Sequence, residues 1–254
     1  MIPAQTRAWW DAAEKSVTCL TCWESTADSR VRPTAAPPAP TAGAGSSAQR
    51  EYERRRQRRE DDVRAKHPHV GGLLLAVTDE PQSTTAWRQG AAGERKLAAA
   101  LDEVPGVRTL HDRRRPGTRA NIDHIAICPS GVFVIDTKRY TKGQIRARDV
   151  GGWFKRDVRL YVGSRDCSKF VGAMAKQVDA VQSALGDLAP SVPVVPVLCF
   201  VDGDWSLFTK PFTIDGVWIT WGKALRKRLT HPGQLGSRYI NAAATALEEG
   251  LPPA

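Results

Sequence analysis

The amino-acid sequence predicts an α/β fold in which a mixed β-sheet is flanked by helices. Three features support this prediction: a helical apolar stripe that starts near residue 84, an alternating strand pair over residues 121–138, and an apolar run over residues 192–201. The chain has 254 residues, of which 41% are hydrophobic and 25% are charged. This size and composition suit one sizeable core with additional segments.

The first segment, residues 1–30, contains Cys19 and Cys22 in a C-x-x-C pair that follows a predicted hairpin. A closed structural zinc site needs four ligands, and only these two are local. We interpret the segment as partial and zinc-ribbon-like, with Zn²⁺ as its candidate ligand. Its other half is missing, either because the start of the chain is misplaced or because the module is degenerate. A redox C-x-x-C pair is the alternative.

Two further segments precede the main domain. Residues 31–49 are rich in Pro, Ala, Gly and Ser, a composition that predicts a disordered linker. In residues 50–66, Glu and Arg recur three and four residues apart, which predicts an exposed helix that ends before Pro68. Its eight basic and five acidic residues leave a solvated helix and a nucleic-acid-binding arm equally open. We assign residues 50–83 to this basic helix and a connecting segment.

The predicted main domain, residues 84–230, starts with a helix whose apolar stripe is interrupted by Glu94. A buried carboxylate is costly unless it is paired or binds a cation, so Glu94 is a candidate functional residue. The alternative is that this edge of the stripe is solvated. The residues of the stripe are Trp87, Ala91, Glu94, Ala98 and Leu101.

Residues 121–138 alternate on both sides of a turn at Pro129 and Ser130, which predicts a β-hairpin. A symmetric turn places Asp123 opposite Asp136, where repulsion is expected to raise a carboxyl pKa and to require a positive group between the two. Asp136 and Lys138 share one face, because strand side chains repeat every two residues. A bulge would shift the pairing without scattering these groups. His124 is expected on the opposite face, packed in the core.

The rest of the sequence of the main domain predicts a second helix, two strands and a third helix. The second helix carries one polar residue, Gln177, on its apolar stripe. Residues 192–201 and 216–220 predict buried strands, and residues 221–229 predict the start of a basic helix. Residues 231–254 are assigned to a C-terminal helix and tail. The stripe of the second helix consists of Phe170, Met174, Gln177, Val181 and Leu185.

Positive charge is concentrated over residues 138–170, which hold ten basic and three acidic residues, and residues 107–120 hold a smaller excess. Such clusters attract polyanions, and Trp153, Phe154 and Tyr161 among them suit stacking on nucleic-acid bases. The alternative is a solvated basic surface with ordinary core aromatics. The candidate nucleic-acid-binding residues are Arg139, Lys142, Arg146, Arg148, Lys155 and Arg156.

The grouped acids and lysine suit phosphodiester hydrolysis, which needs charge neutralisation on the phosphate and an activated water. A divalent ion with oxygen ligands supplies both, and Mg²⁺ or Mn²⁺ is the expected cofactor. Asp123, Asp136 and Glu94 fit as its ligands. Lys138 can orient the attacking water or stabilise the developing charge.

These residues resemble those of the PD-(D/E)xK restriction-endonuclease-like superfamily and, within it, the nuclease-related domain (NERD) family. The likeness covers about residues 84–230, with one departure at Ile122, where the superfamily name expects Pro. It lies in GAAGE (90–94), NIDHIAI (121–127), GVFVIDTK (131–138), YTKGQI (140–145) and the helix of Gln177.

The resemblance implies a restriction-endonuclease-like mixed sheet flanked by helices and a role directed at DNA. It also implies that Glu94 is the first-helix acid, that Asp123 and Asp136 are metal ligands, and that Lys138 is the catalytic lysine. Gln177 would be a polar helix residue near the site.

Three functions therefore remain: Mg²⁺-dependent hydrolysis of DNA, DNA binding by a catalytically idle domain, and protein interaction. The sequence has no apolar run near the roughly 20 residues of a bilayer span, and no secretory leader pattern. Five cysteines without a regular framework fit a reducing compartment. We expect a cytoplasmic protein with nucleic acid, not a membrane, as its partner.

Overall fold

The computed structural model describes residues 8–11, 16–19, 43–70, 72, 74–75, 78–152, 155–207 and 209–254. The chain divides into two compact units, Met1–Ala39 and Pro40–Ala254. The first unit contains strands β1 (Ala8–Asp11) and β2 (Ser16–Cys19), which pair antiparallel. This confirms the predicted hairpin before the C-x-x-C pair. Cys22 lies outside the described residues, so the zinc-ribbon interpretation stays a prediction.

The second unit is built around a sheet of six strands: β3 (Arg108–Arg114), β4 (Asn121–Cys128), β5 (Gly131–Arg139), β9 (Val194–Val201), β10 (Phe212–Ile214) and β11 (Val217–Thr220). Their order in the sheet is β10-β11-β9-β5-β4-β3. β5 pairs parallel with β9, and β9 pairs parallel with β11, whereas the other neighbours are antiparallel. The sheet is therefore mixed, as predicted.

Helices cover both faces of this sheet, because its central strands alternate two sets of apolar side chains. Val132 and Val134 pack with helices α3 (Lys169–Leu185) and α5 (Ser237–Gly250). Phe133 and Ile135 pack with helices α2 (Gln82–Asp102) and α4 (Gly222–Leu229). The same alternation turns Asp136 and Lys138 toward the α3 face.

The β4–β5 hairpin has the predicted register. Cys128 pairs with Gly131, and His124 pairs with Ile135. Gly131 has φ +133°, and a Cβ added there would lie 2.5 Å from the carbonyl oxygen of Pro193. Only glycine allows this turn to lie so close to the start of β9.

A second, three-stranded sheet was not predicted. It consists of β6 (Ile145–Asp149), β7 (Val158–Val162) and β8 (Arg165–Asp166), within the stretch that the sequence marks only as basic. Ile145 and Leu160 are fully buried in the core, whereas Arg146 and Arg148 are exposed. The basic residues therefore form the outer face of a sheet whose inner face is apolar.

Helix α1 (Ser46–Lys66) corrects the predicted boundary of the linker. The helix begins at Ser46, so residues 46–49, which we assigned to the linker, form its first turn. Its end at Lys66 agrees with the predicted stop before Pro68. Ala48 and Tyr52 are buried, and α1 packs on α2. Residues 50–83 and 231–254 thus belong to the same compact unit as the predicted main domain.

Asp112 joins the start of α1 to the sheet. Its carboxylate accepts hydrogen bonds from the Ser46 hydroxyl at 2.7 Å, the Ser47 amide at 2.8 Å and the Asn121 amide at 2.6 Å. Its carbonyl oxygen accepts from the amide of Ala254 at 2.8 Å. Burial opposes ionisation, but the hydrogen bonds from Ser47, Ser46 and Asn121 hold the pKa of Asp112 below its ordinary value.

Asp112→Ala is expected to lower the free energy of unfolding by about 3 kcal/mol, because it removes a charged acceptor shared by several donors. Alanine also fits poorly at the φ of +49° found at this residue. Urea denaturation at neutral pH measures the change. Asp187→Ala, at an exposed aspartate, is the control and is expected to change stability by less than about 0.5 kcal/mol. A similar small change at Asp112 would show that α1 is not anchored there.

Candidate active site

The ends of three strands and the start of a fourth meet at one edge of the large sheet. β3, β5 and β9 end there, and β4 begins there, because β4 runs antiparallel to β3 and β5. We call this the site edge. Asp123 lies near the start of β4, and Asp136 and Lys138 lie near the end of β5. The Thr137 amide donates a hydrogen bond to Asp123 at 2.7 Å, which fixes this carboxylate beside β5.

Lys138 is the positive group that the opposed carboxylates were expected to require. Its ammonium donates a hydrogen bond to Asp136 and lies 4.8 Å from the centre of the Phe170 ring. Burial works against its charge, but Asp136, Asp123 and Glu94 together raise its pKa above the ordinary value. The Lys138 side chain keeps 20% of its surface exposed.

Glu94 approaches the same group from α2. Its side chain is buried, with 8% of the residue exposed, and its Oε2 atom has no hydrogen-bond partner among the described residues. Burial and then the charge of Asp112 raise the pKa of Glu94 to about 7, and Lys138 partly opposes this. The neighbouring Gly93 lets α2 come close, since a Cβ there would lie 3.1 Å from Cβ of Arg139.

The electrostatics of Asp123 depend on the whole group. Burial raises its pKa well above the ordinary value, and the charges of Glu94 and Asp136 raise it further. Lys138 and the hydrogen bond from Thr137 act in the opposite direction. The expected rise in a carboxyl pKa is therefore present, but burial contributes more to it than repulsion does.

A family model described as "Nuclease-related domain" (NERD) matches residues 89–201. The chain carries a nuclease-related domain. Comparison with curated proteins and with solved structures gives no match. The matched stretch contains all five predicted site residues, and the mixed sheet flanked by helices fits a nuclease-like fold. Helices α1 and α5 lie outside the matched residues, although both pack on elements inside the match.

Gln177 is the predicted site residue with the fewest contacts to the rest of the site in the NERD domain. It lies on α3, where its side-chain NH₂ is 3.7 Å from the sulfur of Met174. Its Oε1 atom is buried and has no partner among the described residues. No hydrogen bond in this part of the chain joins Gln177 to the acids or to Lys138. Its role near the site stays a prediction.

The donor set of the NERD domain fits a hard divalent cation. All three acids offer oxygen, the ligand atom that Mg²⁺ and Mn²⁺ prefer. The buried Oε2 atom of Glu94 has no hydrogen-bond partner within the described residues. In the described part of the chain, however, no three acidic, histidine or cysteine side chains are grouped closely enough to hold an ion as they stand. Asp136 is instead paired with Lys138. The acids are thus gathered at the site edge but not preformed into a metal centre.

Two of the six predicted nucleic-acid-binding residues are paired with acids. Arg139 forms an ion pair with Asp202 at 2.9 Å, and Arg156 forms one with Asp149 at 3.1 Å. These pairs reduce the charge that the two arginines offer to a phosphate.

The other four predicted nucleic-acid-binding residues are exposed. Arg146 donates a hydrogen bond to the carbonyl of Gly163 at 3.3 Å, and Arg148 stacks over Tyr161 at 5.8 Å. Lys142 and Lys155 have no side-chain partner within the described ranges. Trp153 and Phe154 lie outside the described residues.

The sequence did not point to Asp112, which influences both Glu94 and the start of β4. Asp112 lies across from Asp123, between the paired residues His111–His124 and Arg113–Ile122. Recognising β3 would have revealed this position. His124 faces the core, as expected: it is buried against His111, with 2.8 Å between their Nδ1 atoms, and burial holds its pKa well below the ordinary value.

No helix in the described ranges combines the length and the apolar character that a bilayer span requires.

Proposed function

We propose that the NERD domain hydrolyses DNA phosphodiesters in the cytoplasm with Mg²⁺ or Mn²⁺ as cofactor. The observation that supports this most strongly is the group of Glu94, Asp123 and Asp136 around a single ammonium at the site edge. Burying several carboxylates together is unfavourable without a cation. A domain that only needed stability would be better served by apolar residues in these places.

In this proposal Asp123, Asp136 and Glu94 hold the ion. The ion, when bound, neutralises charge on the phosphate and makes water a better nucleophile. Lys138 supplies a fixed positive charge, oriented by Asp136 and by the ring of Phe170, that donates a hydrogen bond to a phosphate oxygen.

A second candidate is a catalytically idle domain that binds DNA or a protein. The ion pair between Lys138 and Asp136 favours this candidate, because it occupies one of the carboxylates without any ion. Binding to DNA would then depend on basic surface residues alone, and it would persist after the acids are replaced.

Cleavage by wild type and by Lys138→Ala separates these candidates. We expect wild type to cut at least one of linear, closed circular and single-stranded DNA in Mg²⁺ or Mn²⁺. Lys138→Ala is expected to cut it at least about a hundredfold more slowly, because one fixed donor to the phosphate is lost. Gel electrophoresis of end-labelled and circular DNA gives the rates.

The matched control is Lys227→Ala, which removes an exposed lysine from α4 and is expected to keep the wild-type rate. Retained DNA binding without cleavage by wild type, in either metal, would favour the idle domain. Equal rates for wild type and Lys138→Ala would remove this lysine from the mechanism.

A further inference from the structure

The basic stretch before β4 contains two arginines whose side chains make no hydrogen bond or ion pair in the described part of the chain. Arg108 pairs with Glu248, and Arg113 donates to the carbonyls of Leu251 and Glu248. By contrast, Arg114 and Arg119 are exposed, and no side-chain hydrogen bond or ion pair involves them within the described ranges.

The loop that carries these arginines is held in place. The amide of Arg115 donates to the carbonyl of Ala120 at 3.0 Å, and the amide of Thr118 donates to the carbonyl of Arg115 at 3.2 Å. The Arg115 side chain donates to the carbonyl of Lys176 on α3 at 3.4 Å. A braced loop presents its charges in a defined direction and loses little entropy when it binds.

The loop lies at the site edge, on the β3 side of the acids. Arg114 ends β3 and pairs with Asn121, two residues before Asp123, and Arg119 lies in the connection between these strands. The sheet order places β3 and β4 on one side of β5 and places β9 on its other side.

The basic face of the small sheet lies on the β9 side. The amide of Ile145, at the start of β6, donates to the carbonyl of Asp204 at 3.0 Å, and Asp204 follows the end of β9. β7 contacts β10 as well. Lys142, Arg146 and Arg148 are therefore separated from Arg114 and Arg119 by the acids of the site.

We propose that Arg114 and Arg119 form a second phosphate-binding surface, on the opposite side of the acids from the basic face of the small sheet. The bound DNA strand then extends beyond the site on both sides. This inference rests on the proposed nuclease function. Phosphates on both sides of the scissile bond then contact arginine or lysine. A strand held in this way is cut internally, and DNA without ends is a substrate.

DNA binding measured without turnover tests the second surface directly. Fluorescence anisotropy with a labelled duplex in EDTA, over a series of salt concentrations, gives the affinity and its dependence on salt. Removing two phosphate contacts with Arg114→Ala/Arg119→Ala is expected to reduce the slope of log affinity against log salt by about 2. Arg119→Glu is expected to weaken binding further, because it adds repulsion.

The control is Arg238→Ala. Arg238 is exposed near the start of α5, and the neighbouring Leu235 donates to the carbonyl of Pro129 at the turn of the hairpin, at the opposite end of the sheet. Its replacement is expected to leave the salt slope unchanged. If wild type binds DNA and the Arg114 and Arg119 variants have the same salt slope as this control, the second surface is overturned and the proposed nuclease function is not.

Cleavage of covalently closed circular DNA tests whether the strand passes through the site. Wild type is expected to nick or linearise the circle, and Arg114→Ala/Arg119→Ala is expected to do so at least about tenfold more slowly. Cleavage confined to linear DNA with free ends would overturn the through-running strand. Absence of both binding and cleavage by wild type would instead remove the proposed function itself.

Discussion

Asp136→Asn is expected to lower the rate of DNA cleavage by about a thousandfold and to abolish the thermal stabilisation that Mg²⁺ gives to the protein. Asp136 is the proposed ligand that already holds Lys138, so its replacement disturbs two charges of the site together. The amide of asparagine keeps the shape of the side chain but loses the negative charge that attracts a cation. The loss should therefore affect cation binding and cleavage more than folding.

Differential scanning fluorimetry with Mg²⁺, and with Ca²⁺ to measure binding without cleavage, gives the change in Tm. Asp179→Asn, at an exposed carboxylate of α3, is the matched control and should keep the full metal-induced rise. If Mg²⁺ raised the Tm of Asp136→Asn as much as it raises that of wild type, the ion would bind elsewhere in the chain. If it also cleaved DNA at the wild-type rate, Asp136 would have no part in the reaction.

The local parts of the fold were predictable because short-range patterns determine them. The hairpin register followed from the turn at Pro129 and Ser130 and from strict alternation, and it brought Asp123, Asp136 and Lys138 together. The stripes of α2 and α3 followed from helical spacing, although Trp87 proved to be exposed at 39%.

The parts that were missed depend on distant contacts. β3 lies at the edge of the sheet, and its sequence RTLHDRR contains a single aliphatic residue, so no alternating pattern marks it. In the small sheet, Ile145, Leu160 and Val162 alternate with Arg146, Arg159 and Tyr161, and the charge of the arginines concealed the pattern. The anchoring of α1 needed Asp112, which is 65 residues away from Ser47 in the chain.

The two basic surfaces show why counting charge along the sequence was insufficient. The larger excess lies in residues 138–170, yet Arg139, Arg156 and Arg159 are paired with acids there. The smaller excess leaves Arg114 and Arg119 free in the described part of the chain. Which charges remain available to a phosphate depends on tertiary pairing, which the sequence does not display.

Glu94→Gln is expected to stabilise the metal-free protein at pH 8 and to leave its stability at pH 4 nearly unchanged. The folded protein raises the pKa of Glu94 to about 7 from an ordinary value of 4.5, mainly by burial. Since the folded state keeps this proton to higher pH than the unfolded state, the free energy of unfolding falls as pH rises between these two values. The full loss is on the order of 3 kcal/mol, and glutamine avoids it because it carries no charge.

Urea denaturation in EDTA at several pH values measures this effect. Glu249→Gln, at an exposed glutamate of α5, is the control and should follow wild type within about 0.5 kcal/mol. Part of the pH dependence should remain in Glu94→Gln, because the pKa of Asp123 is raised as well. Adding Mg²⁺ should make wild type more stable than Glu94→Gln, because only wild type keeps all three carboxylates for the ion.

A Glu94→Gln variant that is less stable than wild type at pH 8 in EDTA would mean that Glu94 forms a favourable contact in the folded state. Its carboxylate would then contribute to stability, and the argument that it is held ready for a cation would fail.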